Sequence, residues 1–563
     1  MLNLGQEKQL SKLLAVGLLL ISVFVSTQGL TDPVNVPKLL LLGVFSFAIA
    51  GLFLSFRVKF SGSAAPIFTS LFFLFGLISV VRSSSPLTQN LYGAYGRNNG
   101  LFAYLFLSIL LVVSSQLVKP ESHRRVLKAL LYVGYVNLAY CLWVILFGDF
   151  IPWNNPYGNI LGTFGNPNFI GAFLGIFFGV QLAFGLAKET SKNFKISLLF
   201  LLPLTLFEIV DSHAIQGRVL AALSVAIVFF FYIKSRFAQL ILLVYSALIT
   251  FIGGLALAGA FQRGPLTEVI YKTSVSLRGQ YWLSAWNTGQ ANPVSGVGMD
   301  AFGDWYRRAR DIRAIELPGI NTVVNTAHNV PLDMFAFGGW PLFICYLIVM
   351  AIAIRSAIRI AKKMSGYDAV GVGLITAWVC YQTQSIISIN QIGLAVWGWA
   401  LSGCLIGYAR YLEQVENLEQ KPTSPVSKKV TMGQGVDAKA TLYIGAFGLL
   451  GLLLALPPLA ADASLRSAQV SKDAAKIEST MDSSYFNPLN SQKFVTNLQA
   501  FEGSGLFELS RKYALEAVRW NPEAYELWRI LYLIKNSTLE EKASALENMR
   551  RLDPLNPDVT ATQ

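Results

Sequence analysis

Charge is what this chain has least of. Only 14% of its 563 residues are charged while 53% are hydrophobic, and mean hydropathy is +0.49. A soluble globular chain carries roughly 25% charged residues. This chain cannot clothe a water-facing surface, which excludes a soluble enzyme and a disordered protein. Length alone would suggest about three or four soluble domains, and composition overrides that count. Cysteine is scarce as well. Cys141, Cys345, Cys380 and Cys404 all fall in apolar runs at spacings that match no metal motif. They exclude a secreted disulfide scaffold and read as small apolar packing residues. Histidine occurs three times, so His123, His213 and His328 can each be weighed singly.

What is present in abundance is long apolar runs. A helix crossing the hydrocarbon needs about 20 mostly apolar residues. Thirteen segments qualify: 13–31, 38–56, 64–82, 100–118, 127–148, 168–187, 196–210, 217–233, 237–260, 330–354, 369–388, 391–409 and 440–460. No small-residue cleavage site follows the first, so it reads as a span and not as a removable signal. The fold class expected is all-α, a polytopic integral membrane protein with about 13 transmembrane helices. Lys and Arg sort sharply between alternate loops. With the N-terminus in the cytoplasm, the inner loops and their edges hold 22 basic residues. The outer ones hold only Lys38, Arg82, Arg97 and Arg218. The positive-inside rule then fixes orientation. The net charge of +13 is topological, and nucleic acid is not a partner. His123, beside Arg124 and Arg125, falls in a cytoplasmic loop and reads as a solvated surface residue.

Three stretches do not span. Residues 261–329 form a long outer loop, 411–439 a polar cytoplasmic linker, and 461–563 an outer tail. The tail has helical periodicity, with helices expected at 507–520, 523–535 and 538–551 and an Asn521-Pro522 break between the first two. Helix, N-P turn, helix at a period near 34 resembles a tetratricopeptide repeat. The competing reading is a plain helical hairpin. Either way the tail is a docking or packing module and a potential contact for a protein partner.

Polar residues at the outer ends of spans are the informative ones. They group as Tyr92–Gly100 before the fourth span, Gly162–Asn168 before the sixth, Asp211–Arg218 opening the eighth, and the long loop itself. Within the loop, Ser276–Trp286 reads as helix, Asn292–Phe302 as a glycine-punctuated turn, and Asn325–Asn329 as the entry to the tenth span. All share one side of the membrane and can converge.

The order G-R-x-N-G, G-T-F-G-N-P-N, G-R at a span start, R-G-x-Y-W…P…G-x-G and A-H-N before a span resembles the O-antigen ligase and polymerase superfamily. The resemblance covers roughly residues 10–410, the transmembrane core. The last span at 440–460 and the tail lie outside it. It implies a metal-independent, cofactor-free inverting glycosyltransferase of the bacterial cytoplasmic (inner) membrane. The donor would be an undecaprenyl-diphosphate-linked glycan, and the acceptor a hydroxyl of a lipid, a glycan or a protein. The family arginine and histidine of the loop map onto Arg278 and His328, and the arginine opening the eighth span onto Arg218. Where relatives often carry Ser-Arg, this chain has Gly217-Arg218.

The chemistry suits these residues. A lipid diphosphate leaving group calls for guanidinium donors, so Arg278, Arg218 and Arg97 are expected to bind it. The competing readings are a loop ion pair of Arg278 with Glu268 or Asp300, and interfacial snorkelling for Arg218 and Arg97. An attacking hydroxyl must lose its proton, and His328 is the expected base. Tyr281 and Trp282 are expected against the sugar, and Asn166, Asn168 and His213 as further substrate contacts. A helix cap competes for Asn166. Ligase, polymerase and protein O-oligosaccharyltransferase would share this constellation. A bicarbonate-like solute transporter is the more distant alternative.

Overall fold

The computed structural model describes residues 2–60, 64–419 and 438–560. Among the described residues every regular element is helical. Eleven helices among the described residues are long and apolar enough to cross a membrane. Two more of the thirteen apolar segments are helical: Leu101–Ser114, which is shorter, and Leu4–Val23. The molecule is thus an all-α, multi-pass membrane protein.

Several boundaries move for local reasons. The first helix runs over Leu4–Val23 instead of 13–31, because Asn3 and Gln6 close a reciprocal capping box at its start. The segment after it turns back through Gly29. Residues 411–419 are not linker: the helix Ile392–Glu419 continues through them. Residues 420–437, including Lys421, Lys428 and Lys429, lie outside the described residues, and Ala438 and Lys439 already open the last helix. The last span also runs on, as one helix from Ala438 to Ser471 through Pro457 and Pro458. It therefore enters the region read as tail. His123 is not a surface residue. It is fully buried in the helix Pro120–Phe147, edge-on to Tyr408 with ring centroids 5.1 Å apart. Lys38 is also fully buried and donates to the carbonyls of Ile21, Ser22 and Phe24 at the frayed end of the first helix.

Helices Pro167–Gly185 and Ile392–Glu419 form the centre of the bundle, while Gln239–Ala260 buries only Gly259. Two polar caps open spans at the motif positions. Asn166 accepts from the Asn168 amide with Pro167 in the first turn, and Asn329 accepts from the Leu332 amide. Gly217 explains its own identity: a Cβ there would sit 2.7 Å from the carbonyl of Gly171, so the two helices touch backbone to backbone. A serine would force them apart.

The outer loop is itself structured. A long loop helix, Thr273–Ala291, and a short bridge helix, Phe302–Ala309, flank the glycine turn. That turn docks on a kink in Val330–Lys363, where Gly339 adopts φ +63°. The kink frees the carbonyls of Ala336 and Phe337, which accept from the amides of Val297 and Gly298 at 3.0 and 3.1 Å. Backbone groups at this depth need such internal partners.

The C-terminal helices Ser491–Gly503, Phe507–Trp520, Tyr525–Leu533 and Leu539–Leu552 pack into a module with its own small core. This module grips the bridge helix through a buried ion network. Arg310 and Arg307 both reach Asp553, at 2.6 and 3.0 Å, and Arg307 also reaches Glu526 at 2.9 Å. Neither Arg310 nor Asp553 exposes any side chain.

Candidate functional site

Two turns meet where the outer loop enters the tenth span. The first spans Gly93–Gly100, and Gly93 (φ +89°) and Gly96 (φ +75°) let it fold tightly. The second is the glycine turn of the outer loop. Asp300 joins them: its carboxylate accepts from the amides of Ala94 and Asn99 at 2.8 and 3.2 Å. Burial pushes the Asp300 acid up to about 7, against the pull of those two amides and of Arg97. Burial likewise lowers the Arg97 guanidinium, with Asp300, Asp32 and Asp333 opposing.

His328 lies at the end of the loop in the left-handed conformation, φ +53°. Asn98 and Asp300 share that conformation at +57° and +56°. Non-glycine residues rarely adopt it, and such strain clusters at functional sites. Asp333 holds the neighbouring backbone by accepting from the Ala327 amide at 2.7 Å, and Thr326 Oγ1 accepts from the His328 amide at 3.2 Å. The His328 ring lies 5.5 Å from the Tyr281 ring, and Tyr281 in turn contacts Tyr306 at 6.1 Å. Burial first, then the charges of Arg278 and Arg97, depress the imidazole to about 4. The ring is therefore neutral at pH 7.

Arg278 sits on the loop helix, its Nη1 3.3 Å from the carbonyl and hydroxyl of Ser274. Neither Glu268 nor Asp300 pairs with it, and its Nε has no partner among the described residues. Burial lowers its pKa. Trp282 Nε1 is similarly unpartnered. Arg97, Arg278, Tyr281 and His328 are thus brought into one electrostatic neighbourhood.

Arg97 also walls a cavity of about 530 Å³. Asn166, Trp153, Tyr157, Asn390, Gln391 and Arg466 share that wall. Asn166 fills the capping role weighed for it, and its side chain also borders the cavity. It caps its helix and also presents Nδ2 to the Tyr157 hydroxyl at 3.0 Å.

The other expected residues do not join. Arg218 is exposed and lines no part of the cavity, because Gly217, Leu220, Ala221 and Ser224 form the inward face of its helix. His213 is exposed, its Nδ1 2.6 Å from the carbonyl of Asp211. The Asn168 side chain is exposed too, and its carbonyl accepts from Gln216.

Several residues of the site escaped the sequence reading. Asp333, Asp32, Gln391 and Arg466 are scattered singly through spans and turns. Only Asp333 had a signal, an acid in the first turn after the A-H-N motif.

The comparisons with known proteins fit this picture. Residues 198–347 match the family described as O-antigen ligase. This stretch is an O-antigen ligase domain. The match bears out the resemblance to the ligase and polymerase superfamily. It covers most of the seventh apolar segment, the eighth and ninth, the whole outer loop and most of the tenth. Arg218, Arg278, Tyr281, Trp282 and His328 lie inside the ligase domain, and Arg97 and Asn166 lie outside it. No curated protein matches the chain. The match supports a membrane protein of glycan-transferring, ligase type.

Proposed function

We propose that the chain moves a glycan from an undecaprenyl-diphosphate carrier to an acceptor hydroxyl at the outer face of the bacterial cytoplasmic membrane. The observation that carries this reading is the meeting of Arg97, Arg278 and His328, drawn from two loops far apart in sequence. Arg278 and Arg97 bind the diphosphate and stabilise its charge as the glycosyl–phosphate bond breaks. His328, neutral at pH 7, takes the proton of the acceptor hydroxyl as its oxygen attacks the anomeric carbon. A bound diphosphate offsets the arginine charges, which raises the basicity of His328 when the donor is in place. Tyr281 and Trp282 hold the reacting sugar. Arg218, exposed at its span start, contacts the donor headgroup at the membrane surface. No metal takes part, and the reaction inverts the anomeric centre.

The topology follows the loop charges. The N-terminus is cytoplasmic, and the outer loop and C-terminal module are extracytoplasmic. The ligase reading comes first, with polymerase and protein O-oligosaccharyltransferase sharing the same centre.

The test is lipid-linked glycan in cells carrying wild type, a deletion, His328→Ala or Arg278→Ala. The deletion and both variants are expected to accumulate undecaprenyl-diphosphate glycan and lose the finished conjugate, with the variant proteins still inserted. Transfer should fall at least about 100-fold. Stranded full-length chains mean ligase; stranded single repeats mean polymerase. Normal conjugate in both variants would sink the assignment.

A further inference from the structure

The cavity beside Arg97 has features that the transfer step does not use. Its volume of about 530 Å³ falls within the range of small-molecule sites. Gln391 is only 4% exposed and faces this cavity. Its Oε1 accepts from the Leu394 amide at 3.1 Å, but its Nε2 has no partner among the described residues. A buried donor left unmade is unfavourable, so the cavity presents a donor awaiting an acceptor. Arg97 and Arg466 add guanidinium donors that cannot accept. Arg466 pairs with no carboxylate among the described residues.

The opposite contribution is aromatic. Trp153 Nε1 is engaged by Asp149 at 2.7 Å, and the Tyr157 hydroxyl by Asn166 at 3.0 Å. With the Trp153 donor satisfied and the Tyr157 oxygen already accepting, both residues offer the cavity mainly ring surface. Ring faces are electronegative and attract polarised C–H groups. A ligand rich in acceptor oxygens that also has C–H faces matches both sets. A phosphate would leave the rings unused, and an acyl chain would leave the donors unmet. The remaining charge, Asp32, already accepts from the Val34 and Asn35 amides.

We infer that this cavity is a carbohydrate subsite. It holds a segment of glycan against Trp153 and Tyr157, with Gln391 Nε2 and Arg466 donating to sugar oxygens. None of its lining residues falls in the ligase domain, and Arg466 comes from the last span. The subsite rests on the glycan-transfer reading. Donor and acceptor chains share the chemistry that it recognises.

Site-directed cross-linking in cells that make the native glycan tests it with the full chain. Asn154, exposed on the cavity wall, is replaced by p-benzoylphenylalanine, and Leu539, exposed on the C-terminal module, serves as control. Irradiation is expected to attach glycan at 154 and not at 539. Tyr157→Ala should cut the yield about tenfold, and Arg466→Gln should cut it as well. Mild acid, which cleaves sugar–diphosphate bonds, separates the sources: release of lipid marks the donor, and none marks the acceptor. No glycan at position 154, equal adducts at both positions, or a yield unmoved by both variants would overturn the subsite. The same measurement in His328→Ala keeps the two readings apart. Adduct there with transfer intact fails the catalytic assignment alone, whereas lost transfer without adduct in any background fails the subsite alone.

Discussion

At the scale of single residues, the neutrality of His328 is the feature that most shapes behaviour. Burial and two neighbouring guanidiniums disfavour the imidazolium, so the folded value lies near 4, below the ordinary value of 6.5. His328 should therefore stay neutral as pH falls from 7 and take up its proton only well below 6. With three histidines in the chain, imidazole signals in histidine-labelled protein can be assigned by replacing each in turn. The His328 signal is expected to titrate near 4, and Arg278→Gln to move that midpoint upward by removing one repelling charge. A midpoint near 6.5, unmoved by Arg278→Gln, would contradict the site's electrostatics. Motif order placed His328 and Arg278 on one loop in the sequence, and the fold brings their charges within reach of each other. The outward direction of the Arg218 side chain was not legible, because a span start says nothing about which way a residue faces. One position separates inward Gly217 from outward Arg218.

At the scale of elements, contacts between helices decide what can change. Gly217→Ser would drive a side chain into the Gly171 carbonyl. Overpacking of this kind costs about 1–3 kcal/mol, so the variant should show a lower thermal midpoint in detergent, with Gly217→Leu worse. The grip on the bridge helix is more sensitive. Asp553→Ala leaves Arg310 buried without its partner, which typically costs ~3–5 kcal/mol. The expected result is faster proteolysis of the 302–320 region in the inserted protein, and Asp553→Leu with Arg310→Met should recover most of the protection. Equal protease resistance in Asp553→Ala and wild type would show that the network contributes little. Helix positions in the C-terminal module could be read from periodicity, and Phe507–Trp520 coincides with the expected 507–520. Its docking could not be read. Asp553 looked like part of a terminal Leu-Asp-Pro break, and nothing local marks a carboxylate as the mate of arginines some 243 residues away. The kink at Gly339 did have a local signal, the Gly338-Gly339 pair with Pro341 two residues on, which removes the amide that the Phe337 carbonyl would accept from; the loop that docks on it had none.

At the scale of the whole molecule, the last span is part of the site and no mere anchor. Asp462 on it accepts from the amides of Thr31 and Asp32 at 2.7 and 3.1 Å and from the Tyr95 hydroxyl at 2.7 Å. The same helix supplies Arg466 to the cavity. A chain ending at residue 419 keeps the whole ligase domain, yet it should transfer little or no glycan in the cell assay. Full activity of that truncation would show that the last span is dispensable. Composition and the lengths of the apolar runs made the multi-pass architecture plain from the start. The partnership of first and last segments was not visible, because one aspartate near a helix end has many ordinary explanations.

The bond from Thr31 to Asp462 spans 431 positions. During synthesis the first turn emerges and enters the membrane long before its partner has been translated. The chamber can therefore close only when the final helix has been inserted. On the proposed reading, a ribosome that stalls or terminates early should release a polypeptide that is embedded but unable to transfer glycan.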